Sequence, residues 1–89
     1  VRPNPFNPAA TLAFDVPGEA GGARPVTLDL YDVGGRLVRR LLDGAVGTGH
    51  QEVKWDGRAA DGRIVASGVY VARITIGDYV ATQKLTLLR

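Results

Sequence analysis

Glycine divides this chain into short segments, and that spacing limits the structures that the chain can form. The 89 residues include 12 glycines, and the runs between them are rich in valine, isoleucine, leucine, threonine and tyrosine. No stretch of ten residues keeps the apolar period of a helix. Short β-branched and aromatic runs bounded by glycine are typical of β-strands. The sequence therefore predicts one all-β domain, since a chain of this length is too short for two.

Six runs alternate apolar and polar residues, which places one side of each strand in a core. The runs are 11–16, 25–33, 36–42, 50–57, 68–76 and 79–88. The pairs Gly34-Gly35 and Gly77-Asp78 predict tight two-residue hairpins, because such turns need positive φ angles. Three further glycines predict a flexible connection between the third and fourth runs: Gly44, Gly47 and Gly49.

The third run departs from strict alternation, because its inward residues Val38 and Leu41 are three positions apart, and this indicates a bulge. Strands at this spacing, joined by hairpins, favour a β-sandwich over a closed barrel. Trp55, the only tryptophan, is expected in the core rather than at a ligand-binding surface, because large aromatic side chains favour burial. The expected core consists of Leu12, Phe14, Leu28, Leu30, Val53, Trp55, Tyr70, Ile74, Leu85 and Leu87.

Charge and composition exclude several classes of function. The net charge is only +2, and the cations are scattered apart from Arg39 and Arg40, so nucleic-acid binding has no support. The chain has no cysteine, which rules out disulfides and thiolate metal sites. Its apolar runs are too short to insert into a membrane. Nothing at the N-terminus resembles a signal peptide. The first residue is not methionine, and we therefore expect the chain to be a piece of a longer protein.

Candidates for chemistry are few. A Ser-His-Asp arrangement could combine Ser67 and His50 with Asp56 or Asp61, but no nucleophile-elbow motif surrounds Ser67. Ser67 is expected in the turn before the fifth strand, and His50 at the surface where the fourth strand starts. We therefore expect a domain that is not an enzyme, with no cofactor and no small-molecule substrate. Asp56 and Asp61 have oxygen ligands suited to calcium but lack EF-hand spacing, so calcium at this loop stays open.

A series of motifs resembles a known family. In chain order they are PNPFNP, TLAF, LYDVGGRLVR, GHQEVKWDGR, DGRIVASGVY and QKLTLLR. The series resembles a C-terminal immunoglobulin-like (Ig-like) module shared by two groups of proteins. One is the Ig-like domain of the flagellar hook-capping protein, and the other is the C-terminal sorting domain of proteins exported by the bacterial type IX secretion system. The resemblance implies an Ig-like antiparallel β-sandwich of about six or seven strands over residues 10–89.

The resemblance also implies a function. PNPFNP, the Gly68-Val69-Tyr70 triplet and Lys84-Leu85 are similar to the sorting-domain pattern, whereas YDVGGR and WDGRAADGR are equally similar to the hook-capping group. In the sorting family the domain ends a secreted protein and is recognised by the outer-membrane export machinery. The implied function is a non-catalytic sorting or anchoring module of a secreted or cell-surface bacterial protein. Recognition is expected by backbone pairing at exposed strand edges, with candidate residues Gly68, Val69, Tyr70, Lys84, Leu85 and Arg89.

The opening prolines fit this interpretation. Pro3, Pro5 and Pro8 fix φ and lack backbone donors. Residues 1–9 are therefore expected to form a semi-rigid linker from a preceding domain, or an edge segment that packs along the sandwich.

Two other functions stay open. One is a structural assembly domain of the hook-capping type. The other is an accessory domain that stiffens a neighbouring enzyme or binds polysaccharide, for which Tyr31 and Tyr79 are the exposed aromatic candidates, although scattered exposed aromatics are ordinary. The expected partner is thus protein, either the export and anchoring machinery or a neighbouring domain of the same polypeptide.

Overall fold

A computed structural model describes residues 10–88; the expected linker or edge segment 1–9 and the candidate Arg89 lie outside the described residues. The described chain forms six antiparallel strands in two sheets, which confirms the all-β prediction. The strands are β1 (Ala10–Val16), β2 (Ala23–Asp32), β3 (Leu37–Gly47), β4 (Gly49–Trp55), β5 (Gly68–Ile76) and β6 (Tyr79–Leu87). β1 pairs with β4, and the second sheet has the order β3-β2-β5-β6. Within residues 10–88 no helix has the length and hydropathy needed to span a membrane.

The third strand is longer than the sequence predicts. Gly44 and Gly47 lie within β3 and pair with β2, and Gly49 opens β4, where it pairs with β1. The predicted flexible connection is therefore wrong. Among the described strands, β3 has a partner only on its β2 side, and the backbone hydrogen bonds to β2 keep its glycines extended although they have no side chain to pack. The chain crosses from one sheet to the other at Thr48.

The predicted irregularity of β3 is confirmed. The β2–β3 register shifts twice, and the residues of β3 that have no partner at the shifts are Leu41 and Val38. Both side chains are half-buried against the core. A bulge inserts one unpaired residue and turns the following side chains, which explains how two residues three positions apart reach the same interior.

The core lies between the two sheets. Its fully enclosed members include Trp55, Leu12, Leu28, Leu30, Ile76, Leu87 and Val26. Most of the predicted core is buried, but three of its members are only partly buried at the open sides of the sandwich: Phe14, Val53 and Leu85. Trp55 is 0% exposed, which confirms its core position. Its ring packs edge-on against Tyr70, with centroids 5.3 Å apart and an interplanar angle of 71°.

The two predicted hairpins differ in outcome. Gly77-Asp78 joins the paired residues Ile76 and Tyr79, so this two-residue hairpin is confirmed. Gly77 has φ 59°, and no residue other than glycine has a positive φ in the described chain. A positive φ at the first turn position alone is the signature of a type II′ turn.

The Gly34-Gly35 turn is wider than predicted. The N–H of Gly35 donates to the carbonyl of Asp32 at 3.0 Å, and the N–H of Asp32 donates to the carbonyl of Arg36 at 3.0 Å. The loop therefore contains three residues, and only its last, Gly35, has a positive φ (85°). The Asp32 carboxylate accepts the N–H groups of Gly34 and Arg36 at 2.9 and 3.0 Å, and these bonds stabilise the wider loop.

The geometry of this turn predicts that alanine substitutions at its two glycines lower the free energy of unfolding by different amounts. Gly35→Ala should destabilise the domain by about 1 kcal/mol, because a Cβ disfavours the left-handed region. Gly34→Ala should cost much less, because Gly34 has no positive φ. Urea denaturation of both variants measures the difference. Equal losses would contradict the three-residue loop, since a two-residue type I′ turn needs positive φ at both glycines.

Candidate interaction surfaces

The Gly68–Tyr70 triplet opens β5, which lies between β2 and β6. Tyr70 is 7% exposed, and its hydroxyl donates to the carbonyl of Ala66 at 2.6 Å. The expectation of an exposed edge therefore does not hold at Tyr70, because its backbone pairs with strands on both sides. The structure gives its side chain a packing role, and a role of the triplet in recognition stays a prediction.

The other described candidates, Lys84 and Leu85, lie on β6, which is an edge strand. Lys84 is exposed on the outer face of the sheet, and Leu85 is half-buried on the inner face. A two-residue loop closes with a hydrogen-bonded pair, and hydrogen-bonded and non-hydrogen-bonded pairs alternate along an antiparallel ladder. By this alternation four residues direct their backbone N–H and C=O groups away from β5: Val80, Thr82, Lys84 and Thr86. These groups can pair with another strand.

A groove separates β6 from β1. The two strands are the neighbouring edges of different sheets and are not paired in the described chain. The groove has a volume of about 260 Å³ and is lined by Phe14 and Asp15 of β1, by Ala81 and Gln83 of β6 and by core residues beneath. The sheet formed by β1 and β4 is too narrow to cover the inner face of β6, so Gln83 stays exposed and Ala81 half-buried.

The outer face of the four-stranded sheet holds an ion pair that the sequence did not reveal. Asp29 is 7% exposed and accepts two hydrogen bonds from the Arg40 guanidinium, at 2.7 and 3.1 Å. The hydrogen bond and the charge of Asp29 raise the pKa of Arg40 above its ordinary value. In the sequence, the feature that points to this ion pair is Asp29 itself, an acidic residue of a strand that lies between two leucines of the core. Its outward orientation follows from alternation, but its partner on β3 depends on the bulged register.

The two tyrosines proposed for carbohydrate binding do not share a face. Tyr31 is half-buried on the outer face, where it borders an apolar groove of about 440 Å³ that also touches Val71 and Arg73. Tyr79 is 60% exposed and pairs with the inward-facing Ile76, which places it on the opposite face. They cannot form one aromatic platform.

The loop between β4 and β5 is held by internal hydrogen bonds. The Trp55 indole N–H donates to the carbonyl of Arg58 at 2.9 Å. Asp56 accepts the N–H of Arg58 at 3.1 Å and the guanidinium of Arg39 at 2.9 Å, and Asp61 accepts the N–H of Arg63 at 2.9 Å. Both carboxylates thus stabilise turns. Within residues 10–88, no group of three or more acidic or histidine side chains could hold a metal ion.

The proposed catalytic combination is not assembled. His50 is exposed at the start of β4 and faces Asp15, with 3.3 Å between Nδ1 and Oδ1, whereas Ser67 directly precedes β5. β5 begins beside Trp55, at the far end of β4, so His50 and Ser67 lie at opposite ends of the sandwich. Trp55 lies five positions along β4 from His50, a distance of roughly 16 Å.

Two sheets of antiparallel strands enclosing one apolar core define an Ig-like domain. The chain belongs to the FlgD Ig-like domain family, whose sequence profile matches residues 6–78. This result confirms the resemblance and the Ig-like fold inferred from the motifs. A search of curated proteins finds no significant match.

A solved structure supports the second resemblance. PorZ of the human oral bacterium Porphyromonas gingivalis is described as an essential bacterial surface component of the type-IX secretion system. PorZ is 28% identical over the aligned region, with a TM-score of 0.54 and 74% of this chain covered. The chain spans only 8% of the length of PorZ, so the similarity concerns one small part of that protein.

The structural role of Tyr70 predicts a difference between two tyrosines. Tyr70→Phe should lower the free energy of unfolding by about 1 kcal/mol, because it removes the hydrogen bond to Ala66. Tyr79→Phe should change it by less than about 0.5 kcal/mol, because Tyr79 is exposed. Chemical denaturation compares the two variants. A Tyr70→Phe domain as stable as the wild type would show that this hydroxyl does not hold the loop.

Proposed function

We propose that this chain is a non-catalytic sorting or anchoring module of a secreted bacterial protein, recognised by an outer-membrane export system. The observation that carries the proposal is the similarity to part of a type IX surface component, over most of this chain. A secreted or cell-surface location is part of the same proposal. Membership of a small Ig-like family and the separation of His50 from Ser67 are consistent with a binding function rather than a catalytic one.

We infer that recognition uses the outer edge of β6. This strand contains Lys84 and Leu85, which the resemblance assigns to the sorting pattern, and its outer backbone groups pair with no other strand of residues 10–88. Addition of a partner strand to such an edge is a common mode of peptide recognition, in which main-chain hydrogen bonds provide affinity. The triplet at the start of β5 then contributes by holding β6 in place, since Gly68 and Val69 pair with Leu87 and Thr86.

A specific observation also favours the assembly function. The sequence profile that matches the chain is that of the FlgD Ig-like domain, so a structural role of the hook-capping type is the second candidate. The two candidates differ in what the domain does for an attached protein. A sorting module directs an unrelated cargo to the surface, whereas an assembly domain supports construction of one particular structure.

A fusion experiment tests the sorting proposal. The 89-residue chain is attached to the C-terminus of a periplasm-directed reporter in a host with a type IX system. We expect the reporter at the cell surface or in the medium, measured by labelling of intact cells. Retention in the periplasm contradicts the proposal. Restored motility when the chain replaces the Ig-like domain of a hook-capping protein would then favour the assembly function.

One position separates edge recognition from general effects on folding. Thr82→Pro removes an N–H that points away from β5, and proline is tolerated in edge strands at such positions. We expect this variant to fold, verified by thermal unfolding, and to reduce surface display to background. The matched variant Thr82→Val keeps the N–H and should be displayed like the wild type. Normal display of a folded Thr82→Pro fusion would contradict recognition through this edge.

A further inference from the structure

The β6 edge carries a charge pattern that selects among possible partner strands. β5 and β6 together contain two cations, Arg73 and Lys84, and no acidic residue. Both side chains are exposed on the outer face, and within residues 10–88 neither forms an ion pair. Arg73 lies on the central strand β5 and faces Asp29 of β2, which also accepts the hydrogen bonds of Arg40. Lys84 is therefore the cation on the edge strand itself, and within residues 10–88 it has no acidic partner.

From this pattern we propose that the β6 edge binds an extended protein segment that carries an acidic side chain on the outer face, beside Lys84. The proposal rests on the proposed function and specifies the partner's chemistry. Opposite charges on directly facing residues of neighbouring strands stabilise pairing, and like charges destabilise it. An aspartate or glutamate next to Lys84 is thus favoured, and a lysine or arginine there is disfavoured.

The other face of the added strand meets different chemistry. A strand paired with β6 lies about 4.8 Å from it, so its inward side chains enter the groove between β6 and β1. There they contact the half-buried Phe14 and Ala81. An acidic side chain on this side would lie against these apolar groups and is disfavoured. The preferred segment therefore alternates apolar residues inward with polar residues outward, and its acid belongs to the polar set.

The same charges disfavour a second copy of this chain as the occupant. Antiparallel pairing of two β6 strands in a central register brings the Lys84 ammonium groups of the two copies close together. Lysine on an edge strand is a recognised means of preventing such self-association. The partner is consequently a different polypeptide, and the charge of Lys84 lets the edge discriminate between that polypeptide and a second copy of this chain.

Synthetic strands of about the length of β6 test this inference in solution. Three peptides alternate valine and threonine. One has glutamate in place of the central threonine, one has lysine there, and one has glutamate in place of the adjacent valine. We expect the first to bind the 89-residue chain roughly fivefold more tightly than the other two, as a cross-strand ion pair allows. The amide protons of Thr82 and Lys84 should become protected from exchange in that complex.

Charge reversal provides the matched comparison. Lys84→Glu should reverse the preference between the glutamate and lysine peptides. Lys54→Glu makes the same change in net charge on the exposed outer face of β4 and should leave the preference unchanged.

Three results would each overturn the proposal. They are equal affinity of the folded wild-type protein for the three peptides, absence of binding, and unaltered binding by folded Thr82→Pro. These measurements need no export, so peptide binding without surface display would refute the sorting function alone, and display without charge preference would refute this inference alone.

Discussion

The contact between Trp55 and Tyr70 joins the two sheets, and most of the molecule is arranged around it. Trp55 ends β4 and Tyr70 lies near the start of β5, so their edge-on packing connects a strand of the small sheet to a central strand of the large one. Such a pair contributes about 0.5–1.5 kcal/mol beyond the burial of its surface. The polar atoms of both rings also bind the intervening loop, at Arg58 and Ala66. The two rings therefore connect the sheets through the core and also hold the loop between β4 and β5 in place.

The two sheets have unequal widths, and this difference is the main structural constraint on the proposed function. Two strands cover the inner face of four, and the inner face of β6 is left partly uncovered from Tyr79 to Gln83. This part of β6 borders a groove, and in the described part of the chain its outer edge pairs with no other strand. Edge strands are a hazard for aggregation, and proteins commonly protect them with charge. The charge of Lys84 disfavours pairing of β6 with a second copy of this chain. It does not disfavour pairing with a strand that carries negative charge.

The sequence was sufficient for the strands and for their inward faces, because alternation is a local property of each run. It also indicated an irregularity in β3, since Val38 and Leu41 cannot face the same interior in a regular strand, but the two separate register shifts are visible only in the structure. It was not sufficient for the Gly34-Gly35 loop, where the hydrogen bonds of the Asp32 carboxylate, rather than the glycine pair, select the turn. The course of Gly44 and Gly47 was also missed, because their extended backbone depends on pairing with β2.

The candidate surface was less predictable than the fold for a related reason. Local pattern does not determine which strands become edges or which edges of two sheets face each other; the β6–β1 groove arises only from the order of strands. The motif resemblance selected Lys84 and Leu85, which both lie on the edge strand, but it did not indicate the face of the sheet to which each side chain points. The structure separates them, with Leu85 turned toward the core and Lys84 toward solvent.

The family profile and the proposed partner-binding edge lie in different parts of this chain. The family profile matches residues 6–78 and ends in the turn before β6. The shared part contains β1 to β5 and the Trp55–Tyr70 contact, all of which the Ig-like fold requires. The outward residues of β6 lie beyond it and are exposed, so substitutions there are expected to preserve the sandwich. An assembly domain and a sorting module can therefore share one fold and differ in this last strand, and the chemistry of β6 carries more information about the partner than the fold does.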